Sequence, residues 1–219
     1  MAKLVIVGAG DIGRLAHHYF SRDSEHEVVG FAVDRAYLQA DAFLGLPLLA
    51  LDEMPARFPP GSHKAFVAIS YTGMNRRRAE KYAQAKAMGY QLASYVSSRC
   101  SFLTDHPAGD NCFILEDNTV QPFVRIGNDV TLWSGNHIGH DSTIADHVFI
   151  SSHVVVSGHC RIEPYCFIGV NATLHNSVTV AEATLVGAGS VIAKDTVAKG
   201  VYLPERARLF RKNSDEIDL

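Results

Sequence analysis

The run IGNDVTLWSGNHIGHDSTIADHVFIS at 126–151 places an aliphatic residue at Ile126, Leu132, Ile138, Ile144 and Ile150, one every six residues. Working outward, the same spacing extends back through Val120 to Ile114. It runs forward through Val156, Ile162, Ile168, Leu174, Val180, Val186 and Ile192, fourteen positions without a slip. If about a quarter of residues are Ile, Leu or Val, such a run arises by chance roughly once in 10⁸. A sustained period of six predicts a parallel β-helix that buries these side chains along its axis. The residue after the aliphatic is Gly, Ala or Ser at 9 of the 14 repeats, including Gly127, Gly139, Ala145, Ser151 and Gly187, which reads as a tight corner between faces.

The rest of the chain sets the context. Its 219 residues are 47% hydrophobic and 20% charged, enough apolar side chain for one domain or two small ones. Twenty basic against 23 acidic residues give a net charge of −3, which argues against nucleic acid or an anionic membrane as main partner. Cys100, Cys112, Cys160 and Cys166 form no CxxC pair and are expected to be reduced, buried thiols of a cytoplasmic protein. The apolar run in MAKLVIVGAG is too short for a signal sequence or a membrane span.

Residues 3–96 alternate short β-branched runs with helical stretches, the pattern of βαβ units. Strands are predicted over 4–7, 28–33, 65–69 and 91–96, and helices over 12–20 and 75–88. The expected organisation is therefore an α/β Rossmann-like βαβ domain over 1–97, a β-helix over 98–199 and a tail over 200–219. Gly8-Ala9-Gly10-Asp11-Ile12-Gly13 is a GxGxxG between strand and helix, where backbone N–H groups attract phosphate. Asp34, 21 residues past Gly13, stands where dinucleotide folds place a ribose-binding acid. This loop alone suggests NAD and an oxidoreductase. However, about one and a half mononucleotide units precede the β-helix, so a ligand with a single nucleoside fits better. Ser70, Tyr71, Asn75 and Arg78 should face the same edge as the loop. The charges of the helix at 75–88 (Arg76, Arg77, Arg78, Glu80, Lys81 and Lys86) read mainly as a solvated face.

Five of the 11 histidines fall between His137 and His159. His147, His153 and His159 are six apart, hence on successive faces diverging by about 120°, which keeps them from sharing an ion within one chain. They are expected as corner residues or subunit contacts, and no metal is expected. The β-helix resembles that of the γ-class carbonic anhydrases, but the ligand spacing of that zinc-binding family is missing here.

A Gly-rich βαβ unit joined to a hexapeptide β-helix resembles the nucleotide-sugar N-acyltransferases, over residues 3 to about 198. These include UDP-4-amino-sugar, GDP-perosamine and dTDP-amino-sugar N-acetyltransferases and sialic acid O-acetyltransferase-like proteins. The resemblance implies a left-handed β-helix of 18 residues per coil and a homotrimer. The reaction it implies is transfer from acetyl-CoA or a related acyl-CoA to the amine of a nucleotide-linked deoxysugar. Their motif His-[Glu/Asp]-x-x-Ile reads His140-Asp141-Ser142-Thr143-Ile144 here, with His140 as general base, Asp141 assisting it and Gly158, one coil later, offering an N–H to the acyl carbonyl. Nucleotide-sugar contacts are implied for Gly8, Gly10, Asp11, Ile12, Gly13, Asp34, Ser70, Tyr71, Asn75 and Arg78. Acyl-CoA contacts are implied for Phe149, Gly158, Gly187 and Ala188. Three departures stand out: Ile12 stands where some relatives carry a histidine, Phe149 where many carry a second one, and Val201-Tyr202-Leu203-Pro204-Glu205-Arg206 replaces their common closing Gly-x-Pro-Ala; the last two allow a larger acyl group than acetyl. Two rival readings are an O-acetyltransferase of a sialic-acid-like sugar and a non-catalytic β-solenoid binding or assembly module.

Overall fold

The computed structural model describes residues 2–209, 211 and 213–217. From the N-terminus come β1 (Ala2–Val7), α1 (Asp11–Arg22), β2 (His26–Val33), β3 (Ala42–Phe43), β4 (Leu46–Ala50), α2 (Met54–Arg57), β5 (His63–Val67) and α3 (Arg76–Ala87). The strands form one sheet in the order β3-β4-β2-β1-β5, parallel except for the β3–β4 pair. Leu4, Val5, Ile6 and Val7 of β1 are all buried, as expected of a central parallel strand covered on both faces. Helix α1 turns Gly13, Ala16 and Phe20 toward the sheet, the i, i+3, i+7 face of an amphipathic helix.

The strand expected over 91–96 divides between the two units. Leu92 bridges to Ala65 in the first sheet, whereas Tyr95–Val96 pairs with Phe113–Ile114 of the prism. Tyr95, Phe113 and Leu115 lie in one apolar cluster with Phe20 and Phe66, so the core of the first unit continues onto a face of the second.

The second unit is a left-handed parallel β-helix. Two-residue strands recur every six residues from Phe113–Ile114 to Val191–Ile192, each ending on one of the fourteen aliphatic positions. Pairing runs between residues 18 apart, as His137 with Val155 and Ile138 with Val156, so three hexads make one coil with three faces. All fourteen aliphatic side chains join one buried cluster. The position two residues before each is also inward and takes small residues. Three of the four cysteines sit there as buried thiols, each donating to a carbonyl 15 residues on: Cys112 to Gly127, Cys160 to His175 and Cys166 to Ala181, at 3.0–3.1 Å.

The corners lie elsewhere than expected. Every sixth residue from Asn111 to Gly189 has φ between +55° and +78°, three places before the aliphatic residue rather than one after it. Among L-residues, Asn, Asp and His enter this region most readily, which accounts for Asp129, Asp141, His147, His153 and His159 sharing one register. The small residue after the aliphatic answers to coil stacking instead. A Cβ at Gly139 would fall 2.5 Å from the carbonyl carbon of Ser157 in the next coil.

Candidate active site

Two regions gather the residues singled out above. The first is a cavity of about 1000 Å³ at the carboxyl ends of β1, β2 and β5, lined by Gly8–Ile12, Asp34, Tyr37, Ser70–Thr72, Arg77, Lys81 and Trp133. In a parallel sheet whose first strand lies between the second and the fifth, this crevice is where ligands bind. Three glycines shape it differently. Gly8 has φ +122°, and a Cβ there would meet the Ala68 carbonyl oxygen at 2.5 Å; at Gly13 it would meet the Gly8 oxygen at 2.2 Å, so the loop and α1 can approach only without side chains. At Gly10 a Cβ would meet nothing within 4 Å, leaving open space beside the first turn of α1. That turn presents backbone N–H groups to the cavity.

Asp34 lines the cavity but is already paired: Lys81 Nζ donates to its Oδ1 at 2.6 Å. Tyr71 is half exposed and rests on Phe149 and Phe167, with ring centroids 5.0 and 4.8 Å away. Sequence reasoning passed over Arg77 and Lys81 because both sit in a charge run that reads as solvated. Trp133 belongs to the second unit, and only the tertiary structure brings it here.

Asn75 and Arg78 do not reach the cavity. Both are buried where α3 meets the prism, 0% and 2% exposed. Arg78 Nε donates to Asp129 Oδ1 at 3.0 Å, and its other nitrogens donate to Asn75 Oδ1 and to the carbonyl oxygens of Asp129 and Val148. Asn75, at φ +64°, donates to the Cys166 carbonyl at 3.0 Å. Asp129 also accepts from Asn111 Nδ2 at 2.7 Å and faces His147 Nδ1 at 2.8 Å. The expected solvated face therefore fails at Arg78, and His147 is a corner residue tied into this junction. Phe149 lies in the same junction, 3% exposed, beneath Tyr71 and beside Trp133.

The second region is the corner at His140, between the strands His137–Ile138 and Thr143–Ile144. These belong to the two sheets that do not carry the first unit, so in a triangular coil the corner stands opposite the cavity face. Asp141 occupies the left-handed position at φ +58°, which turns two neighbours that would diverge on a strand toward each other. His140 Nδ1 and Asp141 Oδ2 are 2.8 Å apart, and both side chains are about half exposed. The His140 backbone N–H donates to Gln121 Oε1 at 2.9 Å, fixing the corner.

Gly158 lies directly over His140, where a Cβ would be 2.7 Å from Nε2. Its N–H is not free, however, because it donates to Asn176 Oδ1 at 3.0 Å. What Gly158 supplies to this corner is room for the imidazole rather than an open donor. The N–H of Gly187 is likewise taken, by the Tyr202 carbonyl at 2.7 Å, and the residue is covered by Leu203; Ala188 is exposed.

The profile of bacterial transferase hexapeptide repeats (six repeats) matches residues 123–158, the segment that contains this corner. Among solved structures, the acetyltransferase domain of PglB from Neisseria gonorrhoeae FA1090 superposes with a TM-score of 0.78 at 24% identity, over 89% of this chain and 93% of that one. The chain has the fold of that acetyltransferase domain. PerB from Caulobacter crescentus, solved with CoA and GDP-perosamine, superposes at TM-score 0.76 and 20% identity, over 93% and 92% of the two chains. WeeI from Acinetobacter baumannii AYE gives 0.77 at 19% identity, over 92% and 96%. No curated protein sequence matches significantly. The shared fold spans both units, and so extends to the cavity as well as the His140 corner. No described helix is long and apolar enough to cross a membrane.

Proposed function

We propose that this protein transfers an acyl group from acetyl-CoA or a related acyl-CoA to the amino group of a nucleotide-linked amino-deoxysugar, with His140 as general base. The observation that carries the reading is the 2.8 Å contact between His140 Nδ1 and Asp141 Oδ2. It holds the half-exposed imidazole in the tautomer that leaves Nε2, on the Gly158 side of the ring, unprotonated. Nε2 takes a proton from the sugar amine as nitrogen attacks the thioester carbonyl. The C–N bond forms, the C–S bond breaks, and the proton leaves with the CoA sulfur. Asp141 stabilises the imidazolium formed in between.

The cavity of the first unit takes the nucleotide, its phosphates at the α1 N-terminus beside Gly10, and Arg77 and Lys81 supply positive charge. Because the cavity and the His140 corner lie on opposite sides of one prism, the complete site forms between copies. A cyclic homotrimer, in which the corner of one copy meets the cavity of the next, satisfies this. The acyl-CoA then lies along the groove between prisms, past Ala188. Use of acyl-CoA places the protein in the cytoplasm.

The test is turnover of acetyl-CoA with UDP-, dTDP- and GDP-linked amino sugars against their hydroxylated counterparts, for the wild type and His140→Ala. N-acylation that falls about 10²- to 10⁴-fold in the variant supports the reading. Preference for the hydroxylated acceptors, or no turnover with any of them, overturns it.

A further inference from the structure

The 18-residue coil produces a second juxtaposition at this corner. Asp141 and His159 are 18 apart, so they occupy the same left-handed corner position in consecutive coils, at φ +58° and +61°. The His159 N–H donates to the His140 carbonyl at 2.9 Å, which locks the two corners together. The rings of His140 and His159 stand perpendicular with centroids 5.0 Å apart. One donor atom from each of His140, Asp141 and His159 lies within 4.8 Å of the others.

We propose that His140, Asp141 and His159 form a binding site for a zinc-type divalent transition metal, and that metal bound there draws Asp141 away from the imidazole and takes His140 out of its role as proton acceptor. Two imidazoles and one carboxylate suit zinc and its neighbours, whereas magnesium and calcium prefer all-oxygen sets. All three side chains are exposed, so their rotamers are free to close to the roughly 3.3 Å between donors that a tetrahedral ion with bonds of about 2.0–2.1 Å needs. The backbone beneath them is held by the coil ladder. The absent side chain at Gly158 leaves one flank of His140 uncrowded. Three protein ligands leave a fourth position for water, the arrangement of an open rather than a structural site. The histidines six apart diverge around the prism, but those 19 apart converge, because stacking of coils brings together what one coil separates.

Metal binding is independent of the acyl-transfer reading, while its inhibitory consequence rests on it, and the experiment separates the two. The full-length protein is titrated with Zn²⁺ in competition with a chromophoric chelator, as wild type, His159→Ala, Asp141→Asn and His153→Ala. The expected result is one equivalent per chain, weakened about tenfold or more in the first two variants and unchanged in His153→Ala, a corner histidine outside the triad. Equal affinity in all four proteins, or no stoichiometric binding by the wild type, overturns the site; circular dichroism confirms that each variant is folded. In the second arm, Zn²⁺ inhibits acyl transfer by the wild type, chelator reverses it, and the residual activity of His159→Ala is at least about tenfold less sensitive. Zinc that binds the triad without inhibiting overturns the inhibitory role alone. Absence of acyl transfer altogether overturns the catalytic reading and leaves the binding result standing.

Discussion

The α-carbon of Gly158 faces the imidazole of His140 so closely that a Cβ would lie 2.7 Å from Nε2 and 2.8 Å from Cε1. The glycine sits one coil above the histidine, and it leaves the ring free to hold its contact with Asp141. Gly158→Ala should therefore push the imidazole out of line and reduce turnover by about tenfold or more. Its melting temperature should change little, since the ring is half exposed and can move aside. Steady-state kinetics beside a thermal melt check this, and unchanged turnover would mean that His140 does not act from the position seen here.

Gly10 and Gly13 should part company on substitution to alanine. At Gly13 the new Cβ meets the Gly8 carbonyl oxygen at 2.2 Å, so α1 must shift away from β1 and stability should fall by about 1–3 kcal/mol. At Gly10 it meets nothing within 4 Å. Gly10→Ala should fold normally yet bind nucleotide sugar more weakly, because the methyl group occupies the approach of the phosphates. Denaturation and ligand titration distinguish the two outcomes.

The buried pair Arg78–Asp129 joins the two units. Removing one partner leaves the other charged in a dry junction, so Arg78→Met or Asp129→Leu should cost about 3–5 kcal/mol. The double variant should recover part of the loss. Urea denaturation of the three proteins measures the coupling, and additive losses would show that the pair is not held as described.

Ile150 is 0% exposed within the prism axis. Ile150→Ala should cost about 2–5 kcal/mol through the cavity it leaves, and Ile150→Asp should prevent folding because its carboxylate would be buried without a partner. A thermal melt unchanged by Ile150→Asp would contradict the placement of the hexads.

His26 carries a pH dependence of stability. Burial, followed by the nearby Lys64 charge, holds its pKa below the ordinary 6.5, and among the described residues its Nδ1 has no hydrogen-bond partner. Below pH 6.5 the unfolded chain then binds more protons than the folded one, so the folded state loses stability as pH falls from that value toward the lowered pKa. The fall in melting temperature between about pH 8 and pH 5.5 should be smaller in His26→Phe than in the wild type. Equal slopes would show that His26 does not contribute.

Much of the fold was legible in the residues, and the site only in part. The period of six fixes the faces of the prism because each hexad makes one side and its aliphatic residue has nowhere to go but the axis. The GxGxxG loop and Asp34 place a crevice at the ends of parallel strands for a similarly local reason. The adjacency of His140 and Asp141 was visible, but whether they face each other depends on the left-handed φ of Asp141.

What the sequence by itself determined is whatever repeats or lies within one turn of chain: the prism, its core and the phosphate-type loop. The tertiary structure decided everything that depends on which surfaces meet. It buried Arg78 and Asn75 against the prism instead of turning them to a ligand, because Asp129 and the prism carbonyls supply their hydrogen bonds. It hid Phe149 under Tyr71 and gave the Gly158 N–H to Asn176. It also set His159 beside His140. A coil of 18 residues makes neighbours of groups that chain distance keeps apart, and only the stacked structure shows which of their side chains meet.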